Sequence, residues 1–162
     1  MPLNRISNRI IQLAKVPPIT GAATYLTLDN ANATFFVNFT EQLELLAYIH
    51  AGVVGTSVDA KWQQATAADG TAAKDLTVTT DASITQITTL NEVAQLELRQ
   101  EQANTVLDLD NGFKFIGLSV TTVGATTAVS AEIFGLYMTD EDGAGPQTDD
   151  QAAGNTTRQV IP

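Results

Sequence analysis

The sequence predicts an all-β sandwich or barrel. Three observations lead there. Short stretches of alternating apolar and polar residues recur along the body of the chain. Gly, Asn and Asp turn signals separate them about every eight to twelve residues, the spacing of an all-β fold. The chain carries 23 Thr, a β-branched residue suited to half-exposed strand faces. Helical periodicity is almost absent after residue 22.

Residues 1–22 stand apart. Leu3, Ile6, Ile10 and Leu13 recur at helical spacing with Arg5, Arg9 and Gln12 between them, which predicts a short amphipathic helix. Pro17-Pro18 would end it. A piece this short needs a surface to dock on, so the segment reads as an N-terminal arm. Arg5, Ile6, Arg9, Ile10, Leu13 and Lys15 are its candidate partner-binding residues.

Residues 23–138 form the predicted β body. Tyr25–Leu28 is the first strand and 29–32 a turn. Phe35–Phe39 follows, then 43–50, where Leu43, Leu45, Ala47 and Ile49 alternate with Glu44, Leu46, Tyr48 and His50. After Gly52 and Gly55, Val58, Ala60 and Trp62 alternate with Asp59, Lys61 and Gln63. Asp69-Gly70 is a tight-turn signal. Leu76–Val78, a Thr-rich stretch around Ile84 and Ile87, and 94–99 continue the pattern. Val106–Leu109 reads as a short strand before an Asp110-Asn111-Gly112 turn. Phe113–Val123 and Val129–Met138 close the body, separated by Gly124. These last two strands are apolar on both faces. A strand of that kind lies under another layer or contributes to a contact between subunits; Gly117 or Gly135 would otherwise mark a bulge that exchanges faces. Phe113, Phe115, Phe134, Leu136 and Met138 are therefore candidate oligomer-interface residues.

Residues 139–162 read as an acidic, extended C-terminal tail rich in breakers, whose composition does not support a core. Arg158, Val160 and Ile161 form a more apolar foot at its end.

Composition narrows the chemistry. With no Cys and one His in 162 residues, thiolate metal sites, disulfides and multi-histidine centres are excluded. The net charge of −10 argues against nucleic-acid binding, which needs clustered Lys and Arg. No stretch has the length and apolarity of a membrane helix. The charge is uneven: Arg5, Arg9 and Lys15 make residues 1–28 basic, and the acidic remainder should stay soluble.

Single residues offer little catalysis. His50 lacks a nucleophile motif beside it. Asp108-Leu109-Asp110-Asn111-Gly112 resembles the front of a calcium loop, but Ser119 stands where the closing Glu is required; a β-turn explains the same residues. Carboxylates are abundant, whereas the aromatic platforms a glycosidase needs are few. Trp62 follows the apolar phase of its strand and reads as core, with a sugar-stacking position as the alternative. The expectation is a non-enzymatic protein without catalytic, cofactor-binding or metal residues.

The Lys61-Trp62-Gln63-Gln64 strand, the Asp69-Gly70-Thr71 turn and the late pair Phe113–Val123 and Val129–Met138 resemble the small β-sandwich virion proteins of tailed bacteriophages, in particular capsid decoration (cement) proteins. The resemblance covers roughly residues 43–138 and carries no catalytic motif. It implies a jelly-roll-like antiparallel β-sandwich with extended terminal arms, often trimeric. It also implies a place in the virion, on the outer capsid surface, bridging capsomers through the major capsid protein or another virion protein. A tail, neck or adaptor component, or a carbohydrate-binding module, are the alternative readings.

Overall fold

The computed structural model describes residues 10–28, 33–39, 42–76, 83–99 and 107–137. Among the described residues, nine strands form two antiparallel sheets: β1 (Ile10–Thr20), β2 (Ala23–Leu26), β3 (Val37–Asn38), β4 (Gln42–Ala51), β5 (Ser57–Ala65), β6 (Lys74–Asp75), β7 (Glu92–Arg99), β8 (Phe115–Val123) and β9 (Ala128–Tyr137). The first sheet has the order β1-β9-β4-β7, and the second β2-β8-β5-β6 with β3 also on β8. The protein is an all-β sandwich. Among the described residues no helix is long and apolar enough to cross a membrane.

Alternation decides which side of each strand is buried. Leu45, Ala47 and Ile49 of β4, Val129, Ala131 and Ile133 of β9, and Leu96 and Leu98 of β7 point inward from the first sheet. Val58, Ala60 and Trp62 of β5 and Ile116, Leu118 and Val120 of β8 meet them from the second, in one continuous core. This interdigitation of two inner faces is what holds a sandwich together.

The largest departure from the sequence expectation is β1. Residues 10–20 form a strand on β9, where a helix ending at Pro17 was expected. Ala14 and Val16 enter the core, so this stretch belongs to the body and is not an arm. Bulges between Gln12 and Ala14 and between Val16 and Ile19 interrupt its register. The second spans the two prolines, which lack the N–H that a regular ladder requires. The bulges break the two-residue period, and the remaining apolar spacing mimics a helix.

Three smaller corrections follow. Residues 109–111 form a 3-10 turn closed by Gly112 at φ 80°, where a turn was expected at 110–112, and residues 107–109 are not in the strand expected over 106–109. Lys74–Asp75 form a two-residue strand just before Leu76. Thr77 and Val78 of the strand expected at 76–78 lie outside the described residues, and the Thr-rich stretch contributes isolated bridges at Ser83 and Ile87. Gly117 marks no bulge, because β8 pairs with β5 in unbroken register. Gly135 marks no bulge either: it pairs in register with Ile11 and Leu45, and the nearby bulge between Gln12 and Ala14 is in β1.

The outward side of β8 is covered by its own chain. Phe36 is fully buried there. A Cβ on Gly117 would lie 2.7 Å from the Phe36 ring, and one on Gly70 would lie 2.8 Å from it. Two glycines thus make the space that seats this aromatic ring. Thr27 fixes the overlying segment: its N–H donates to the Leu118 carbonyl and its hydroxyl to the Phe35 carbonyl. Thr27 and Phe36 belong to the layer that a two-sided β8 required.

Candidate interaction face

The outward side of the first sheet has a different character. β4 presents Glu44, Leu46, Tyr48 and His50 there, and β9 presents Ser130, Glu132, Phe134 and Leu136. Register places Phe134 beside Leu46, and Leu136 beside Glu44. Tyr48 meets Phe134 edge-to-face, with ring centroids 6.0 Å apart and an interplanar angle of 78°, a favoured geometry for aromatic pairs. The His50 ring lies 6.4 Å from Tyr48 on the other side. Leu46, Tyr48, Phe134 and Leu136 therefore form one half-buried apolar strip across two strands.

Polar residues rim the strip. Gln12 of β1 stands opposite Phe134, and Lys15 opposite Glu132. On the far side β7 sets Gln95 opposite Tyr48, Glu97 opposite Leu46 and Arg99 opposite Glu44. Gln95 donates to the Glu97 carboxylate at 2.8 Å, and Arg99 approaches it at 3.5 Å. An apolar centre with a charged rim is the anatomy of a protein-binding surface.

The residues picked out from the sequence separate in space. Phe134 and Leu136 lie on this strip. Phe113 and Phe115 do not: Phe115 opens β8 in the second sheet, and Phe113 lies two residues before it. There Lys74 Nζ lies 3.9 Å from the centroid of the Phe113 ring, and Lys114 Nζ 5.6 Å from that of Phe115. Leu13 packs against the core. Lys15 is held in the body by two backbone bonds with Leu28. Ile10 pairs with Leu136 through the backbone of β1. Arg5, Ile6, Arg9 and Met138 lie outside the described residues, as do Arg158, Val160 and Ile161. Sequence reasoning missed Leu46 and Tyr48 as face residues. The signal was present: both fall in the outward phase of β4, between Glu44 and His50.

Side chains that suggested chemistry have structural duties. The Asp108 carboxylate accepts from Lys74 at 2.5 Å and from Asn111 at 2.7 Å, and those contacts hold it below the ordinary aspartate range. Asp108 N–H donates to Gln64 Oε1, so the residues compared with a calcium loop tie the 3-10 turn to β5. Asp69 accepts from the Thr71 hydroxyl and the Thr71 N–H, which lowers its pKa and closes the Asp-Gly-Thr turn. Asp75 is lowered by Lys61 first and Gln63 second. Trp62 is 0% exposed, which removes the stacking platform a sugar-binding reading needs. Among the described residues no group of three His, Cys, Asp or Glu is placed to hold a metal ion.

No family model and no curated protein matches this chain. Among solved structures, the Yersinia pseudotuberculosis-derived mitogen is similar at 10% identity and TM-score 0.38, covering 86% of this chain and 95% of that one. A chain of the Bacillus endospore appendages, described as a novel family of disulfide-linked pili, is similar at 12% identity and TM-score 0.36, covering 80% and 90%.

Proposed function

We propose that the protein is a non-enzymatic virion component, a capsid decoration protein that attaches to the outer surface of a phage head and bridges capsomers. The observation that carries this reading is the apolar strip Leu46–Tyr48–Phe134–Leu136 on an otherwise acidic body. A structural protein needs a rigid body and a defined attachment face. The two packed sheets supply the first and the strip supplies the second. The resemblance of the Lys61–Gln64 strand, the Asp69-Gly70-Thr71 turn and the late strand pair to phage cement proteins gives the setting. On this reading the partner is the major capsid protein or another virion protein. The chain acts as a homo-oligomer, with the trimer the form the resemblance implies, and several copies multiply the holding strength.

The test is co-sedimentation of the purified chain with isolated capsids and, separately, with isolated tails of the phage. Saturable binding to capsids is the expected result. Phe134→Asp should weaken it at least tenfold while leaving the melting temperature within a few degrees, since Phe134 lies outside the core. Binding to tails alone would move the protein to a tail, neck or adaptor position. Binding to neither would overturn the virion reading.

A further inference from the structure

A strand at the edge of a sheet exposes unpaired backbone N–H and C=O groups, and folded proteins blunt such edges with prolines, lysines, bulges or short length. This sandwich blunts most of them. β1, one edge of the first sheet, carries Pro17, Pro18, Lys15 and two bulges, and Leu28 bonds its backbone at Lys15. β2 has four residues and β6 two. β7, the other edge of the first sheet, has none of these devices. It is eight residues long, pairs with β4 without a register shift, and contains no Pro or Lys. Among the described residues no strand pairs with its outer side. A groove of about 640 Å³ runs along that side, between β7 and Ser83–Thr85. Val93, on the outward face, is 57% exposed, and Leu90, just before the strand, is 66% exposed.

We infer that β7 pairs antiparallel with β7 of a second copy of this chain, joining the two first sheets into one continuous sheet across a two-fold axis at Leu96. The strand's own sequence selects this partner and register. A two-fold axis perpendicular to the sheet keeps inward residues opposite inward residues. Centred on Leu96, it sets Leu96 against Leu96 and Ala94 against Leu98 on the core side. On the outward side it sets Gln95 against Glu97, twice, and Val93 against Arg99, twice. Amide meets carboxylate, and no like charges face each other. Centring on Glu97 would oppose two carboxylates. Centring on Gln95 would put Glu92 against Leu98 in the apolar row. Opposite like charges disfavour a pairing, so one register stands out.

The consequence reaches the attachment face. With strands ~4.8 Å apart, β4 of one copy lies about 14 Å from β4 of the other. The two apolar strips then sit side by side on a single surface. The inference does not depend on the capsid reading, since it concerns the free protein: without the trimer of that reading the two-fold gives a dimer, and with it the two-fold pairs two trimers into a hexamer.

The experiment is light scattering on the full chain with Gln95→Glu and Gln95→Lys variants, followed by oxidative cross-linking. The wild type should be a dimer or an even-numbered oligomer. Gln95→Glu sets two pairs of carboxylates opposite each other and should weaken association roughly 2- to 30-fold. Gln95→Lys should not weaken it. The chain has no Cys, so a mixture of Gln95→Cys and Glu97→Cys should cross-link while each variant alone does not. Directly opposite strand residues have the Cα separation a disulfide needs. A monomer, an odd-numbered oligomer indifferent to Gln95→Glu, or cross-linking of Gln95→Cys by itself would overturn the proposal. Slow hydrogen exchange, in a monomer, of the β7 amides that point away from β4 would likewise overturn it, because the edge would then be held within one chain.

Discussion

One methyl group at residue 117 would meet three atoms of the Phe36 ring at 2.7–2.8 Å, closer than any relaxed carbon–carbon contact. Phe36 has nowhere to retreat, because a side chain on Gly70 would meet it from another side and Thr34 lies close to the same glycine. The ring and the two glycines therefore form one unit whose purpose is to close the outward side of β8. Gly117→Ala should destabilise the fold by about 1–3 kcal/mol, the usual range for overpacking a tight core, read as a lower urea midpoint. Phe36→Leu should cost stability alone yet recover part of the loss when combined with Gly117→Ala. Strict additivity in that double-mutant cycle would show that the two residues do not touch.

The β8–β9 connection shows how one side chain can secure an element. Gly124 turns the chain at φ 99°, and Thr127 N–H donates to its carbonyl at 3.1 Å. The fully buried Thr127 hydroxyl donates to the Val123 carbonyl at 2.6 Å and accepts from Gly55 N–H at 2.9 Å. This crossing between the two sheets is thereby fastened to the loop between β4 and β5. Thr127→Val keeps the shape, deletes both bonds and strands the Gly55 donor. A cost of about 1–3 kcal/mol is expected for such a loss, with thermal unfolding as the measure. This unit was only half legible in the sequence. Gly124 announced a break, but nothing local tied Thr127 to Gly55. Legibility followed the same rule elsewhere. β4, β5, β8 and β9 were readable because each buries alternate residues against one core, and a period of two survives in the sequence. β1 was hidden because its bulges break that period. The interaction face was half visible: Phe134 and Leu136 stood out in a two-sided strand, whereas Leu46 and Tyr48 gained meaning only when register set β4 beside β9.

At the scale of the whole molecule, two electrostatic effects oppose each other as pH falls. The net charge is −10 at pH 7 with a pI near 4.2, so self-repulsion is considerable at neutral pH and fades as carboxylates protonate. Against this, Asp69, Asp75 and Asp108 are all held below the ordinary aspartate value by their hydrogen-bond donors. A carboxylate whose folded-state pKa is depressed adds stability above its unfolded value, about 3.9, and loses it as pH falls through the folded value. The Asp69 and Asp75 partnerships are solvent-exposed and the Asp108 one half-exposed, and pairs open to solvent contribute little each. The relief of repulsion should therefore dominate first. In low salt the melting temperature is expected to rise from pH 7 to about pH 5 and to fall below about pH 4 as these carboxylates protonate. Added salt should raise it at pH 7 through screening and change it little near the pI. Asp75→Asn removes the carboxylate that accepts from both Lys61 and Gln63, and should make the acid limb shallower while leaving the neutral salt response intact. A melting temperature that falls steadily from pH 7 downward would show that local pairing outweighs the acidic field of the body.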